Sequence, residues 1–218
     1  METGFLRVLF DPGHFFESRM RDEPSLKVPA LIALVVGLIG AISAALVANL
    51  IVGILPAEAQ AFGVIVVGFS VAGAVIGGFL TWIVYGIVFY LISMVFKGEG
   101  SFARTLEVTG YGFLPQVFGG IVGAFFSYLI VSNLTIPAAG SPEEIAAVTE
   151  NLTGMLVTDP LAQVAALAGI LFLVWSANIW IFGMKYARNL STRDAALTVG
   201  IPVGLYILYT LITLAGWL

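Results

Sequence analysis

Residues 62–96 read FGVIVVGFSVAGAVIGGFLTWIVYGIVFYLISMVF, and this run of 35 residues contains no charged side chain. A transmembrane helix needs about 20 apolar residues to cross a hydrocarbon core of about 30 Å. The run is long enough for one helix of about 52 Å, or for a hairpin of two short spans that turns at Gly77-Gly78. The basic residues elsewhere in the chain distinguish these two arrangements.

All nine Lys and Arg residues lie in three stretches, 1–28, 97–107 and 185–195. Basic residues near the ends of membrane spans are found mainly on the cytoplasmic side. One continuous helix over 62–96 places all three stretches on that side, whereas a hairpin would place the second and third stretches outside. We therefore predict one long helix in this run, and an N-terminus in the cytoplasm.

The fold class predicted from the apolar runs is all-α, a polytopic transmembrane helical bundle of five spans with an external C-terminus. The composition is 60% hydrophobic and 10% charged, whereas an average soluble domain has about 25% charged residues. Residues 1–28 are predicted to be a cytoplasmic or interfacial amphipathic segment, and residues 29–218 a single five-span domain. The predicted spans cover about 29–55, 62–96, 108–133, 161–184 and 197–217.

The N-terminal segment is predicted to form amphipathic helices at the membrane surface. Apolar residues recur at helical spacing between Phe5 and Phe10, which is typical of an interfacial helix. Asp11 followed by Pro12 indicates the start of a second helix, with the aspartate as its N-cap and the proline at its first position. This second helix is expected to end before Pro24.

The segment between the third and fourth spans, residues 134–160, carries acidic side chains and no basic ones. Such a composition is expected of an external connection. Ser141 as an N-cap and Pro142 at the first helical position predict a short helix over 143–156.

Small residues recur at four-residue intervals in three of the predicted spans. Such rows allow helix backbones to approach closely in a membrane. Packing within the monomer is one explanation of these rows, and the interface of a homodimer is the alternative. The rows consist of Gly73 with Gly77, Gly119 with Gly123, and Gly200 with Gly204.

The centres of the predicted spans contain no Asp, Glu, Lys, Arg or His, although proton relays and voltage sensors require such residues. The deepest polar side chains belong to Asn49, Gln116 and Asn178. Each of them either bonds to a neighbouring helix or contributes to a polar seam for a neutral solute. A single cavity shared by these side chains would favour a small-solute channel or transporter.

The sequence predicts no catalytic, metal or cofactor site. His14 is the only histidine and the chain has no cysteine, which excludes a multi-histidine zinc site and a Ser/His pair within the membrane. Arg104 and Glu107 have the spacing of a local ion pair on a helix. The lipid bilayer is an expected partner, and nucleic acid is not.

Residues 98–115, GEGSFARTLEVTGYGFLP, contain a Tyr111-Gly112 pair that leads to Pro115. This segment resembles the Yip family of Ypt- and Rab-interacting membrane proteins, and Asp11-Pro12 with its flanking residues is similar to the prokaryotic branch. From the residues alone, we expect Tyr111 at the membrane interface, Gly112 at a close helix approach, and Pro115 at a kink or broken helix start.

The resemblance implies a non-enzymatic membrane adaptor or organiser in the plasma membrane of a prokaryote, which presents cytoplasmic loops to a protein or lipid partner. The alternative function is a small-solute channel or transporter. The residues assigned to the family motif and partner surface are Tyr111, Gly112, Pro115, Asp11, Pro12, Arg104 and Glu107.

Overall fold

A computed structural model describes residues 3–134 and 158–216, together with positions 141, 144, 147, 148 and 154, and side chains from residue 6 onward. The helix predicted over 143–156 therefore lies for the most part outside the described residues. All regular structure in the described part of the chain is helical. The helices are α1 (Thr3–Phe10), α2 (Pro12–Arg19), α3 (Lys27–Ile54), α4 (Ala57–Gln60), α5 (Gly63–Val95), α6 (Phe102–Tyr111), α7 (Leu114–Asn133), α8 (Pro160–Ala187) and α9 (Thr192–Leu214).

Five of these helices, α3, α5, α7, α8 and α9, are long and apolar enough to cross a membrane. This result confirms the predicted five-span helical fold. The second span, α5, is one continuous helix of 33 residues, as the distribution of basic residues predicted.

The third span differs from its prediction, because the helix expected over 108–133 is divided into two. Helix α6 ends at Tyr111 and α7 begins at Leu114, with Pro115 in its first turn. Proline has no backbone N–H, so it is tolerated in the first turn, where that group would lack a partner within the helix. The broken helix start predicted at Pro115 is confirmed, but residues 108–111 belong to a separate buried helix and not to the span.

The spans pack as neighbours, with α3 against α5 and α7, and α8 against α7 and α9. Helices α3 and α5 approach most closely at Gly37 and Gly78. A Cβ atom placed at Gly78 would lie 2.9 Å from the Gly37 Cα atom. No larger side chain fits at this crossing, which is how small residues bring helices together in lipid.

Helices α1 and α2 pack along the outside of the bundle and contribute to its core. Val8 and Phe16 are fully buried, while Phe10 is largely exposed. The indole N–H of Trp175 on α8 donates to the Leu9 carbonyl at 3.0 Å. Asp11 caps α2 by accepting from a backbone N–H, so the predicted N-cap is confirmed and the N-terminal helices are fixed to α8.

Candidate functional site at the basic end of the bundle

The three basic stretches lie together at one end of the bundle, which we call the basic end. We define it as residues 6–28, 97–113 and 185–195. Helix α6 lies at its centre and packs against α3, α5 and α8. Eight consecutive residues of this helix, 104–111, are buried. Helix α6 is therefore enclosed by side chains of α3, α5 and α8.

Glu107 occupies the centre of a buried charge cluster, and its side chain is 0% exposed. Its Oε1 atom accepts from the Arg19 guanidinium at 2.8 Å and from the Ser25 backbone N–H at 3.3 Å. Its Oε2 atom accepts from the Arg104 guanidinium at 2.6 Å. A buried carboxylate is stable only when it is paired and hydrogen-bonded, and here both of its oxygen atoms have donors.

The two arginines of this cluster also hold the segment that follows α2. Arg104 donates to the backbone carbonyls of Arg19 and Asp22, and Arg19 pairs with the Asp22 carboxylate at 2.8 Å. Partial burial lowers the pKa of Arg19, but the hydrogen bond that Arg19 donates to Glu107, together with the negative charges of Glu107 and Asp22, outweighs this effect and raises the pKa above its usual value. The cluster thus joins the N-terminal segment to α6.

Two tryptophans donate to backbone carbonyls of α6. The indole N–H of Trp82 on α5 donates to the Leu106 carbonyl at 2.8 Å, and that of Trp180 on α8 donates to the Thr109 carbonyl at 2.7 Å. The Thr109 carbonyl lies in the last turn of α6, where carbonyls lack partners within the helix. These two bonds fix the short helix to the spans on both sides.

Arg188 connects the third basic stretch to the loop that precedes α6. Its guanidinium donates to the Ser93 hydroxyl at 2.9 Å, to the Gly98 carbonyl at 2.6 Å and to the Gly100 carbonyl. The same group lies 4.3 Å from the centre of the Tyr90 ring. At 2% exposure, Arg188 serves as a structural link between α8 and the 97–101 loop.

Most residues assigned to the partner surface are buried, so that interpretation is wrong for them. Tyr111 is 5% exposed, and its ring packs edge-to-face on Phe15 with the ring centres 5.1 Å apart. Tyr111 is therefore a core residue and not an interfacial side chain. Side chains that are enclosed by the bundle cannot contact a partner directly. The buried members are Tyr111, Gly112, Pro115, Pro12, Arg104 and Glu107.

Asp11 is the exposed member of that set. Its carboxylate accepts from the His14 ring nitrogen at 3.0 Å. That hydrogen bond lowers the pKa of Asp11. Arg104 and Glu107 do form the predicted local pair, but the pair is buried and includes Arg19, which the spacing of Arg104 and Glu107 alone did not indicate.

For five of the six glycines in the predicted packing rows, an added Cβ atom would have no described atom within 4 Å. A Cβ atom at Gly119 would lie 3.0 Å from Phe172, so this glycine does pack against α8. The others show no such packing, and α3 and α5 cross at Gly37 and Gly78 rather than at Gly73 and Gly77. The homodimer interface stays a prediction for these glycines. The glycines whose Cβ positions have no described atom within 4 Å are Gly73, Gly77, Gly123, Gly200 and Gly204.

The three deep polar residues do not form a common seam. Asn49 donates to the Ala45 carbonyl of its own helix at 2.8 Å, and Gln116 donates to the Ser176 hydroxyl at 3.0 Å. Asn178 lies at a separate cleft beneath the turn between α1 and α2. The shared cavity that would have favoured a channel or transporter for these residues is therefore not formed.

Gly112 lies closer to a neighbouring side chain, that of Trp180, than any other glycine of the site, and this leads to a testable prediction. A Cβ atom there would lie 2.1 Å from two ring atoms of Trp180, and that ring is 1% exposed and packed against Tyr85, Phe89 and Phe113. Gly112→Ala should therefore destabilise the protein by about 1–3 kcal/mol through overpacking. Thermal unfolding of the purified protein in micelles measures this change.

Gly123→Ala is the matched control for Gly112→Ala, since its Cβ position has no described atom within 4 Å. Alanine favours a helix over glycine by about 1 kcal/mol, so this control should be neutral or slightly stabilising. Equal melting temperatures for the two variants would show that Trp180 can move aside.

Comparison with known proteins reveals similarity over nearly the whole chain. Residues 6–214 match the family described as Yip1 domain. An uncharacterized protein of Methanocaldococcus jannaschii is 37% identical over 123 residues, which is 56% of this chain and 87% of the relative. No solved structure matches the chain significantly. The matched region includes all five spans and every residue of the charge cluster.

Proposed function

The chain belongs to the Yip1 domain family, and from this premise we propose that it is a non-enzymatic membrane adaptor or organiser. It is an integral membrane protein with five candidate spans. In this proposal the basic end faces the cytoplasm and presents residues 1–28, 97–111 and 185–195 to a protein partner. The host membrane is the plasma membrane of a prokaryote, which is in line with the similarity to an archaeal protein.

The observation that carries this proposal is the buried charge cluster. The Arg19–Glu107 contact at 2.8 Å joins the first basic stretch to the second. The Glu99 N–H donates to the Arg188 carbonyl at 2.9 Å, which joins the second stretch to the third. Three segments that are distant in sequence thus form one fixed surface, and a preorganised surface loses less conformational freedom when it binds.

The exposed side chains of the basic end carry charges of both signs. Such a mixed surface suits a protein with complementary charges, because complementary charges guide association and select partners. The orientation is supported by the general bias of Lys and Arg toward the cytoplasm. The exposed charged residues are Arg7, Asp11, Glu17, Arg21, Asp22, Glu23, Lys27, Lys97, Glu99 and Arg193.

A non-enzymatic role is supported by the bonding of the buried ionisable groups. Glu107, Arg104 and Arg188 each make at least two hydrogen bonds to other parts of the protein. Charged groups that are fully engaged in this way hold the fold together. They are not arranged as a free acid, base or nucleophile beside a substrate pocket.

Single-cysteine variants test the proposal, since the natural chain has no cysteine. Arg193→Cys lies at the basic end and Glu58→Cys at the opposite end, and both positions are exposed. In whole cells, a membrane-impermeant maleimide should label Glu58→Cys but not Arg193→Cys. A thiol-attached photo-crosslinker on Arg193→Cys should then capture a specific protein that Glu58→Cys does not capture.

Labelling of Arg193→Cys from outside the cell would overturn the proposed orientation. Capture of the same proteins from both positions would contradict an adaptor surface at the basic end. Crosslinks from Arg193→Cys to lipid alone would also contradict a protein partner, and would identify the surface as a headgroup contact.

A further inference from the structure

A cavity of about 350 Å³ lies within the membrane-spanning part of the bundle, enclosed by α3, α5, α7, α8 and α9. Its floor includes the buried side chains of Phe113, Leu173 and Trp180. The volume lies at the lower end of the range for pockets that hold small molecules. The polar side chains on its wall are Thr81, Tyr85, Gln116, Tyr206 and Thr210.

The mouth of this cavity faces the interior of the membrane. Thr81 on α5 and Tyr206 on α9 are the exposed polar residues of its wall. Each lies about 21 Å along its helix from the basic end of that helix. Since the hydrocarbon core is about 30 Å thick, both positions lie well inside it. A molecule that enters between α5 and α9 must therefore come from the lipid phase.

Three hydroxyl groups at this cavity have no hydrogen-bond partner among the described residues, those of Thr81, Tyr85 and Tyr206. By contrast, the Thr210 hydroxyl donates to the Tyr206 carbonyl at 2.9 Å. In the hydrocarbon core no water is present to satisfy a polar group, and an unpaired one is costly. An occupant with its own hydrogen-bonding oxygen would satisfy these hydroxyls.

We propose that this cavity binds a neutral lipid-soluble molecule whose hydroxyl or carbonyl oxygen bonds with Thr81, Tyr85 and Tyr206. Its apolar part lies against the Trp180 floor and extends between α5 and α9 into the bilayer. The described lining residues include no Asp, Glu, Lys, Arg or His, so a charged headgroup would be buried without a counter-charge. Diacylglycerols and isoprenoid alcohols share the required chemistry. The proposal does not depend on an adaptor function, because it concerns the membrane-facing cavity alone.

Photo-crosslinking of the purified full-length protein in lipid nanodiscs tests this proposal. The two probes are a diazirine-bearing diacylglycerol and a diazirine-bearing isoprenoid alcohol, each used in separate titrations. We expect saturable labelling that mass spectrometry maps to the segments 81–85 and 206–210. Labelling by one probe alone identifies the occupant as a glyceride or as an isoprenoid. Labelling by both probes supports recognition of the oxygen group that the two share. Non-saturable labelling spread over the lipid-facing surface would overturn the proposal.

Two matched pairs of variants separate cavity binding from general contact with lipid. Gly169 lines the cavity and Gly200 does not, while both Cβ positions have no described atom within 4 Å. Gly169→Leu should fill the cavity and reduce specific labelling at least fivefold, whereas Gly200→Leu should change it less than twofold. Equal labelling of these two variants, with melting temperatures that show both are folded, would contradict the site.

The second pair tests the hydroxyl groups. Tyr85→Phe combined with Tyr206→Phe removes two hydrogen-bonding groups and should weaken probe binding about tenfold. Tyr209→Phe removes a hydroxyl from a lipid-facing residue that does not line the cavity, and should leave binding unchanged. If the double variant binds as the wild type does, the hydroxyls do not recognise the occupant.

Discussion

Glu107→Gln is expected to lower the free energy of unfolding by about 3 kcal/mol, because it leaves the guanidinium groups of Arg19 and Arg104 without the carboxylate between them. Breaking a buried ion pair by removing one partner costs about 3–5 kcal/mol. The lower end of that range applies here, because the Arg19 side chain is still 22% exposed to solvent and also pairs with Asp22.

The measurement is unfolding of the purified protein in mixed micelles, combined with hydrogen exchange of the amides in residues 20–27. Glu17→Gln is the control, because it removes the same charge from an exposed position on α2. Surface substitutions of this kind usually change stability by no more than about 0.5 kcal/mol. Hydrogen exchange of the amides in residues 20–27 should become faster in Glu107→Gln but not in Glu17→Gln.

Two outcomes distinguish the possible roles of the cluster. If Glu107→Gln lowers global stability and speeds exchange in 20–27, the cluster both supports the bundle and holds the N-terminal segment. If it behaves like Glu17→Gln in both measurements, the three segments are held by apolar packing, and the preorganised surface proposed for the adaptor does not depend on the charges.

The general architecture could be predicted because the bilayer imposes strong requirements on sequence. A helix must supply about 20 apolar residues to span the hydrocarbon core, so the five apolar runs could be identified directly. The continuity of α5 followed from the positions of the basic residues. The broken start at Pro115 was also predictable, because the missing N–H of proline acts locally.

The assembly of the basic end was not predictable from the same signals. Arg19 and Glu107 are far apart in the chain yet lie 2.8 Å apart, and no periodicity encodes such a contact. In the sequence, Arg188 was informative only as one of the nine basic residues that predict the membrane orientation. Its burial depends on how α8 meets the 97–101 loop, which is a tertiary feature.

The glycine rows show why spacing alone is a weak guide to packing. Four-residue spacing places Gly73 and Gly77 on one face of α5, but Gly78 is the residue that meets α3. Which face is buried depends on the rotation of a helix about its axis. In a helix that is apolar on all sides, hydrophobicity gives no information on that rotation.

Arg188→Lys should also destabilise the protein by about 3 kcal/mol, although it preserves the charge. The planar guanidinium reaches the Ser93 hydroxyl and the carbonyls of Gly98 and Gly100 at once. An ammonium group is a compact donor that cannot reproduce this fork or the stacking on an aromatic ring. We expect two acceptors to lose their donors, each at a cost of about 1–3 kcal/mol when buried.

The 97–101 loop should respond most strongly, since its backbone is otherwise unfavourable. Lys97 has a φ of 58° and Gly100 a φ of 115°, both in the left-handed region that side chains disfavour. The Glu99 N–H donates to the Arg188 carbonyl, and the Gly98 N–H to the Ser93 carbonyl. Hydrogen exchange at these two amides should become at least tenfold faster in Arg188→Lys.

Arg193→Lys is the matched control, because it makes the same substitution at an exposed position five residues after Arg188. Its unfolding free energy should stay within about 0.5 kcal/mol of the wild type, with unchanged exchange at residues 98 and 99. If Arg188→Lys matches this control, positive charge alone holds the loop. If Arg188→Lys alone loosens the loop, the directional hydrogen bonds of the guanidinium join α8 to the segment that leads into α6.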